Sequence, residues 1–266
     1  MEFHEMPVGE IQRLLKERGL LLTDDELTAL SGDPRAGVRK IYQQFCRQRA
    51  LMDKENLRLE AMDLYEKEAR RKGFALIAGI DEVGRGPLAG PVVTAAVILP
   101  EKCRISGIDD SKKVPPGRRE KLYHEIVGQA VCWAVGMATV EEIDSLNILQ
   151  ATLLAMRRAL GGLSPAPEYV LVDAVRIPGI GTPQLPIIKG DGKSVTIAAA
   201  SIVAKVTRDR MMEDFDGQFP GYGFAQNKGY GTSDHIEALK KNGCCKLHRK
   251  TFIKNFLVSE AYGSLW

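Results

Sequence analysis

At Phe74 the chain changes its period, and that change limits what it can fold into more than any other feature. Upstream, apolar residues recur at helical spacing within a charge-rich background. Downstream come three short β-rich runs, residues 74–80, 92–99 and 131–140, with a helical stretch at 116–129 between the last two. A second helical stretch, 141–160, leads to an apolar run at 169–172, a shorter one around 185–188, and a long helix beginning near Ser194. Strands first in succession and then alternating with helices predict a mixed sheet covered by helices, an α/β fold. No internal repeat or low-complexity segment interrupts this order.

Two regions follow, a small helical N-terminal extension over 1–73 and a main domain over 74–266. In the first, Val38, Ile41, Tyr42, Phe45 and Leu51 predict one long helix across 35–72, opened by Asp33-Pro34 and closed by Gly73. Ile11, Leu14, Leu15 and then Leu27, Leu30 predict two shorter helices joined at Thr23-Asp24-Asp25. This region reads as a solvated extension that packs on the main domain rather than as a dedicated binding module.

No apolar run approaches the length of a membrane span, and Glu2, Glu5, Glu10 and Arg13 stand where a secretory leader would be apolar. The expectation is a cytoplasmic protein with no membrane contact. Five cysteines without a C-x-x-C pair argue against a disulfide framework or structural zinc. Charge is balanced over 1–73, with 14 basic and 14 acidic side chains, which leaves 23 basic against 20 acidic in the remainder.

Adjacent acids, Asp81 and Glu82, end the first apolar run and meet a glycine-flanked arginine in Gly84-Arg85-Gly86. A phosphate-binding P-loop is excluded, because Arg85-Gly86 fall where Lys and Ser/Thr belong, and Gly192-Lys193-Ser194 lacks its upstream glycine at Ile187. Taken alone, the acid pair reads equally well as solvated turn residues. Asp173 ends the run 169–172, and Asp191 follows 187–190 just before a helix, where an aspartate alone reads as an N-cap. Three strand ends carrying acid in a chain otherwise basic predict an acidic pocket that needs a cation. Around these four acids the main domain has a basic surplus of 7, which suits a polyanionic partner.

The run from Asp81 to Pro91, DEVGRGPLAGP, resembles the signature of type 2 ribonuclease H, ribonuclease HII. The resemblance continues through Asp110-Ser111-Lys112-Lys113, residues 147–152, Lys189-Gly190-Asp191, residues 199–209, Gly221-Tyr222-Gly223 and residues 228–232, and so covers the chain from Phe74 to the C-terminal region. The related ribonuclease HIII carries Thr where Arg85 stands and has a larger N-terminal accessory domain. The resemblance implies a ribonuclease H-like mixed sheet flanked by helices, with a C-terminal helical substrate-binding region.

It further implies that Asp81, Glu82, Asp173 and Asp191 are catalytic residues and ligands of Mn²⁺ or Mg²⁺ in a two-metal site. Many members have Gly after the third acid, where this chain has Ala174. Asp209 also lies in a matched motif, but four residues after Lys205 it reads as an ion-pair partner. Gly84, Arg85 and Gly86 would bind the ribose and its phosphate, although the glycines alone read equally as a tight turn. Tyr230 would stack at an RNA–DNA junction, and Ser111, Lys112, Lys113 and Lys205 would hold phosphates. The expected activity is endonucleolytic cleavage of RNA in RNA/DNA hybrids and 5′ of ribonucleotides in duplex DNA, leaving 3′-OH and 5′-phosphate ends. Expected partners are those nucleic acids and a replication clamp, with the protein itself a monomer. A hybrid-binding protein without turnover is the alternative.

Between Lys240 and Lys254 lie seven basic groups and no acid, among them His248 and Arg249, which predicts an element facing the duplex backbone. His4, His124 and His235 show no H-x-x-x-H or Cys/His pairing and receive no catalytic role. Met211 and Met212 read as core packing.

Overall fold

The computed structural model describes residues 3–18 and 22–257, so the outermost ends of both predicted regions and residues 19–21 lie outside the described residues. The chain divides into two compact units, Met1–Glu60 and Ala61–Trp266.

In the first unit, α1 (Val8–Arg18), α2 (Asp24–Ser31) and α3 (Ala36–Met62) appear where apolar spacing predicts helices. Thr23 caps α2 by accepting from the Glu26 N–H while Glu26 reaches back to the Thr23 N–H, a reciprocal capping box. Phe3, Ile11, Leu15, Leu30 and Val38 form this unit's core.

Instead of one helix through 72, the chain breaks at Asp63 and resumes as α4 (Leu64–Arg71). Residues 61–73, grouped by sequence with the extension, thereby lie in the second unit. Burial explains this: Ala69 joins a core cluster with Ile77, Leu171, Ile187 and Ile197. Glu66, fully buried, accepts from Ser194 Oγ at 2.6 Å and from Thr196 N–H at 3.0 Å.

The second unit is a five-stranded mixed sheet flanked by helices. Strands β1 (Ile77–Val83), β2 (Val92–Ile98), β3 (Cys132–Ala138), β4 (Tyr169–Asp173) and β5 (Gln184–Ile187) lie in the order β3-β2-β1-β4-β5. β1 is antiparallel to β2 and parallel to β4, which is parallel to β5. α5 (Pro116–Gln129) follows the expected bounds. The predicted helix at 141–160 is two, α6 (Val140–Leu146) and α7 (Ile148–Gly161). Asn147 separates them at φ 74°, and its side chain accepts from the Leu149 and Gln150 N–H groups. One residue thus ends a helix and caps the next.

Strand period two divides the core. Ala78 and Ile80 face α7 through Leu153, Met156 and Ala159. Residues 77, 79 and 81 face the other way, toward α8 (Val195–Gln218). There a β-carbon on Gly79 would stand 2.1 Å from the Thr196 carbonyl carbon, so α8 lies directly on the strand backbone. Val92 through Ile98 are buried throughout, as a sheet covered on both faces requires. α9 (Phe224–Asn227), α10 (Ser233–Asn242) and α11 (Lys250–Leu257) complete the described residues. Met212 is fully buried with Ala89, Tyr222 and Phe224. All five cysteines are free, and among the described residues no helix is long and apolar enough to cross a membrane.

Candidate active site

Parallel pairing sets Ile80 opposite Val172, so one further step brings Asp81 and Asp173 to the adjoining ends of β1 and β4. Asp173 pairs in register with Ile187 on β5, and its Oδ1 accepts from the Gly190 N–H at 2.7 Å. That bond ties the turn bearing Asp191, a 3-10 turn over Gly190–Gly192, to the end of β4. Ser194, not Asp191, caps α8, by accepting from the Ile197 N–H. The Asp191 carboxyl is thus not consumed as a helix cap.

Asp81, Glu82, Asp173 and Asp191 line a single cleft of about 730 Å³ with Gly84, Arg85, Gly86, Ser111, Lys112, Lys205 and Tyr230. Lys113 is not in that lining; it pairs with Asp109 at 3.3 Å, beside the Asp191 turn. Lys205 bonds Asp209 at 2.7 Å, and Arg119 approaches Asp209 from the other side at 3.5 Å, so Asp209 serves as the ion-pair partner. The spacing gave no role to Ser201, yet it sits on α8 where that helix passes Asp81, and its hydroxyl lies 3.0 Å from Ser111 Oγ. Its presence in the 199–209 motif was the available signal.

The cleft's electrostatics follow from crowding acids in a partly dry place. Burial raises Asp81 well above the usual carboxylate range, the Glu82 and Asp173 charges raise it further, and hydrogen bonding from Ser201 and the Glu82 N–H opposes them. Glu82 is raised by burial, with Asp173 adding and Arg85 opposing through a 3.3 Å contact. Asp191 is raised by burial, then by Asp110 and Asp173, while Lys112 opposes. Such carboxyls are eased by a cation.

The donor set fits a hard divalent ion, since the lining offers carboxylates and hydroxyls and no His or Cys. Among the described residues, no three His, Cys, Asp or Glu side chains are drawn close enough to grip an ion unaided. Magnesium-type sites use one or two carboxylates with water and substrate phosphate oxygens, so a closed protein cage is not what this chemistry requires.

Behind the Gly84-Arg85-Gly86 loop lie two buried guanidiniums. Arg249, fully buried, donates to the carbonyls of Gly84 at 2.6 Å, Arg85 at 3.0 Å and Gly90 at 2.7 Å. Arg208, equally buried, donates to Pro91, Lys228 and Ala89 carbonyls. Of the seven basic groups at 240–254 expected to face a duplex backbone, Arg249 and His248 instead point into the protein, while Lys240, Lys241, Lys246, Lys250 and Lys254 stay exposed. Gly84 is required at φ 92°, where a β-carbon would lie 2.3 Å from Arg208 Nε. Gly86 instead faces the cleft, and a β-carbon there would stand 3.9 Å from the Tyr230 ring. His235, to which the sequence assigns no catalytic role, lies buried with its Nε2 3.1 Å from His248 Nε2.

Ala174 sits at φ 57°, in the left-handed region that glycine occupies without penalty. That conformation costs an L-residue roughly 1–2 kcal/mol, offset by the roughly 0.4–1 kcal/mol that glycine's freer unfolded chain costs. Ala174→Gly is therefore expected to gain about 0.5–1 kcal/mol in urea unfolding, and a loss would contradict the strain argument.

A mixed sheet flanked by helices thus brings carboxylates from adjoining strands and the turn after β5 to one cleft. Residues 78–255 match the family described as Ribonuclease HII, and residues 7–70 match the Ribonuclease HII N-terminal domain. Ribonuclease HII of Acetivibrio thermocellus is 47% identical over 253 residues, covering 95% of this chain and 99% of that one. The crystal structure of ribonuclease H2 from Pyrococcus horikoshii superposes with a TM-score of 0.58 at 29% identity, over 68% of this chain and 96% of that one. Ribonuclease HII of Archaeoglobus fulgidus, solved in complex with PCNA, gives 0.55 at 29% identity, over 65% and 93%. The chain belongs to the ribonuclease HII family, and with it to the endoribonucleases that act on RNA in hybrids.

Proposed function

We propose that the cleft incises duplex DNA on the 5′ side of an embedded ribonucleotide, as well as RNA in longer hybrids, leaving 3′-OH and 5′-phosphate ends. The observation that carries this reading is the convergence of Asp81, Glu82, Asp173 and Asp191 on one cleft with the Gly84–Gly86 loop and Tyr230. The four carboxylates would hold a pair of divalent ions, Mn²⁺ or Mg²⁺, whose chemistry is to offset charge on the attacking water and the leaving O3′.

The chain's own residues do the rest. Arg85, whose contact to Glu82 is long and half-exposed, is free to turn toward a phosphate. The loop backbone at Gly86 is open toward the cleft, so a ribose can approach it and present its 2′-OH, the group that distinguishes RNA from DNA. Tyr230, facing Gly86, stacks on the sugar or base at the junction. Ser111, Lys112 and Lys205 line the phosphate path, with Lys113 outside them. The helical unit Met1–Glu60 serves as an accessory region, and residues 61–73, grouped with it by sequence, belong with the catalytic domain. The protein acts as a cytoplasmic monomer in removing misincorporated ribonucleotides and primer remnants. The PCNA complex of the Archaeoglobus relative supports a replication clamp as partner.

An end-labelled DNA duplex with one ribonucleotide tests the reading. With Mg²⁺ or Mn²⁺ a single nick should appear 5′ of the ribonucleotide, and chelator should abolish it. Binding without a nick under every metal condition would make this a hybrid-binding protein instead.

A further inference from the structure

Tyr230 is 39% exposed, so its ring is not fixed by burial. It follows two left-handed residues, Lys228 at φ 52° and Gly229 at φ 82°, and its placement must come from its backbone. The Gly229 carbonyl accepts from the Leu88 N–H at 2.8 Å, and the Tyr230 N–H donates to Asn227 at 2.9 Å. The Tyr230 carbonyl accepts twice, from the Thr232 N–H at 2.8 Å and from His235 Nδ1 at 2.8 Å. Behind His235 stands His248, and behind that Cys245.

We propose that the buried His235–His248 pair is a positioning relay, which holds the Tyr230 backbone so that its ring stays opposite Gly86 in the cleft. This rests on the reading of Tyr230 as a substrate-contacting residue.

The hydrogen bonds admit one proton order. The Cys245 N–H donates to His248 Nδ1 at 3.0 Å, with Cys245 Sγ at 3.2 Å from the same atom, so Nδ1 is an acceptor. The His248 proton then lies on Nε2, which donates to His235 Nε2 at 3.1 Å. His235 must therefore carry its proton on Nδ1, the atom that faces the Tyr230 carbonyl. A second proton on either ring would set two N–H groups against each other. The surroundings favour neutral rings: Phe224 lies edge-on to His235 at 5.4 Å, and Tyr222 packs on His248 at 4.9 Å. Burial and then the neighbouring His235 push His248 down to about 4, and burial lowers His235. The residue after His248 is Arg249, which holds the Gly84–Gly86 loop, so both walls of the slot are anchored from one dipeptide.

Kinetics on the one-ribonucleotide duplex test the relay with His235→Ala, His235→Asn, Tyr230→Ala and the His235→Ala/Tyr230→Ala double variant. Loss of the donor should lower kcat/KM by about 10- to 100-fold, the scale of a small misplacement at a reacting site. Asn, whose amide donor stands near the Nδ1 position, should restore most of it. In the Tyr230→Ala background the His235 change should cost less than about threefold, as coupled residues require. Costs that multiply in full, or a Tyr230→Ala variant as active as the parent, overturn the relay. Independently of activity and of any variant's folding, ¹⁵N NMR of the parent at neutral pH should show His235 protonated on Nδ1 and His248 on Nε2. The opposite tautomers, or a charged ring, overturn it. A parent that never nicks the duplex would sink the proposed function and leave the tautomers to judge the relay.

Discussion

Asp81→Asn is expected to lower hybrid cleavage by about 10³-fold or more, equivalent to roughly 4 kcal/mol of transition-state stabilisation. Asp81 is 6% exposed on the central strand, between Glu82 and Asp173, and no other carboxyl in the cleft is so enclosed. The amide keeps the shape and removes the charge. Without divalent ions the same variant is expected to be more stable than the parent near neutral pH. Burial and the neighbouring acids raise the folded pKa of Asp81 above its unfolded value of about 3.9. Between those two values the folded state binds more protons, so the unfolding free energy falls as pH rises through that window. Asn carries no such penalty. Urea unfolding of parent and variant at pH 5 and pH 8 in chelator should show the parent's deficit growing toward pH 8. Equal stabilities at both pH values would remove the repulsion from the account.

The second large effect is structural. Arg249→Met should destabilise the fold by about 3–5 kcal/mol, because the buried carbonyls of Gly84 and Gly90 and the partly buried carbonyl of Arg85 lose their donor together. The charge is not what stabilises, since burial and then Arg208 push the Arg249 pKa down to about 9. The planar fork is, and Arg249→Lys should recover only part of the loss, as one ammonium cannot match that geometry. A loss below about 1 kcal/mol on urea unfolding of Arg249→Met would show that the loop stands without the clamp.

Arg249 also marks the limit of what the sequence revealed. Short apolar runs and turn residues made β2, β4 and the bounds of α5 legible, because those signals are local, while β1 lies at Ile77–Val83, three residues beyond the expected 74–80. The breaks at Asp63 and Asn147 were not, since each depends on a single residue whose neighbours continue the helical pattern. Acids at strand ends could be read individually, yet their meeting in one cleft depends on β1 lying beside β4, a pairing between residues far apart in sequence. Basic residues in 240–254 looked alike in sequence, but only tertiary packing separates exposed Lys250 from Arg249, buried beneath the loop. His235 and His248 lie 13 residues apart with no motif spacing and meet only through the fold.

Direct measurement of Mn²⁺ binding by electron paramagnetic resonance, in the presence of an uncleavable hybrid, bears most closely on the cleft as a cation site. The parent should bind two ions per chain, and Asp81→Asn should lose at least one of them. Equal ion binding by parent and variant would contradict the central claim, whatever the cleavage rates.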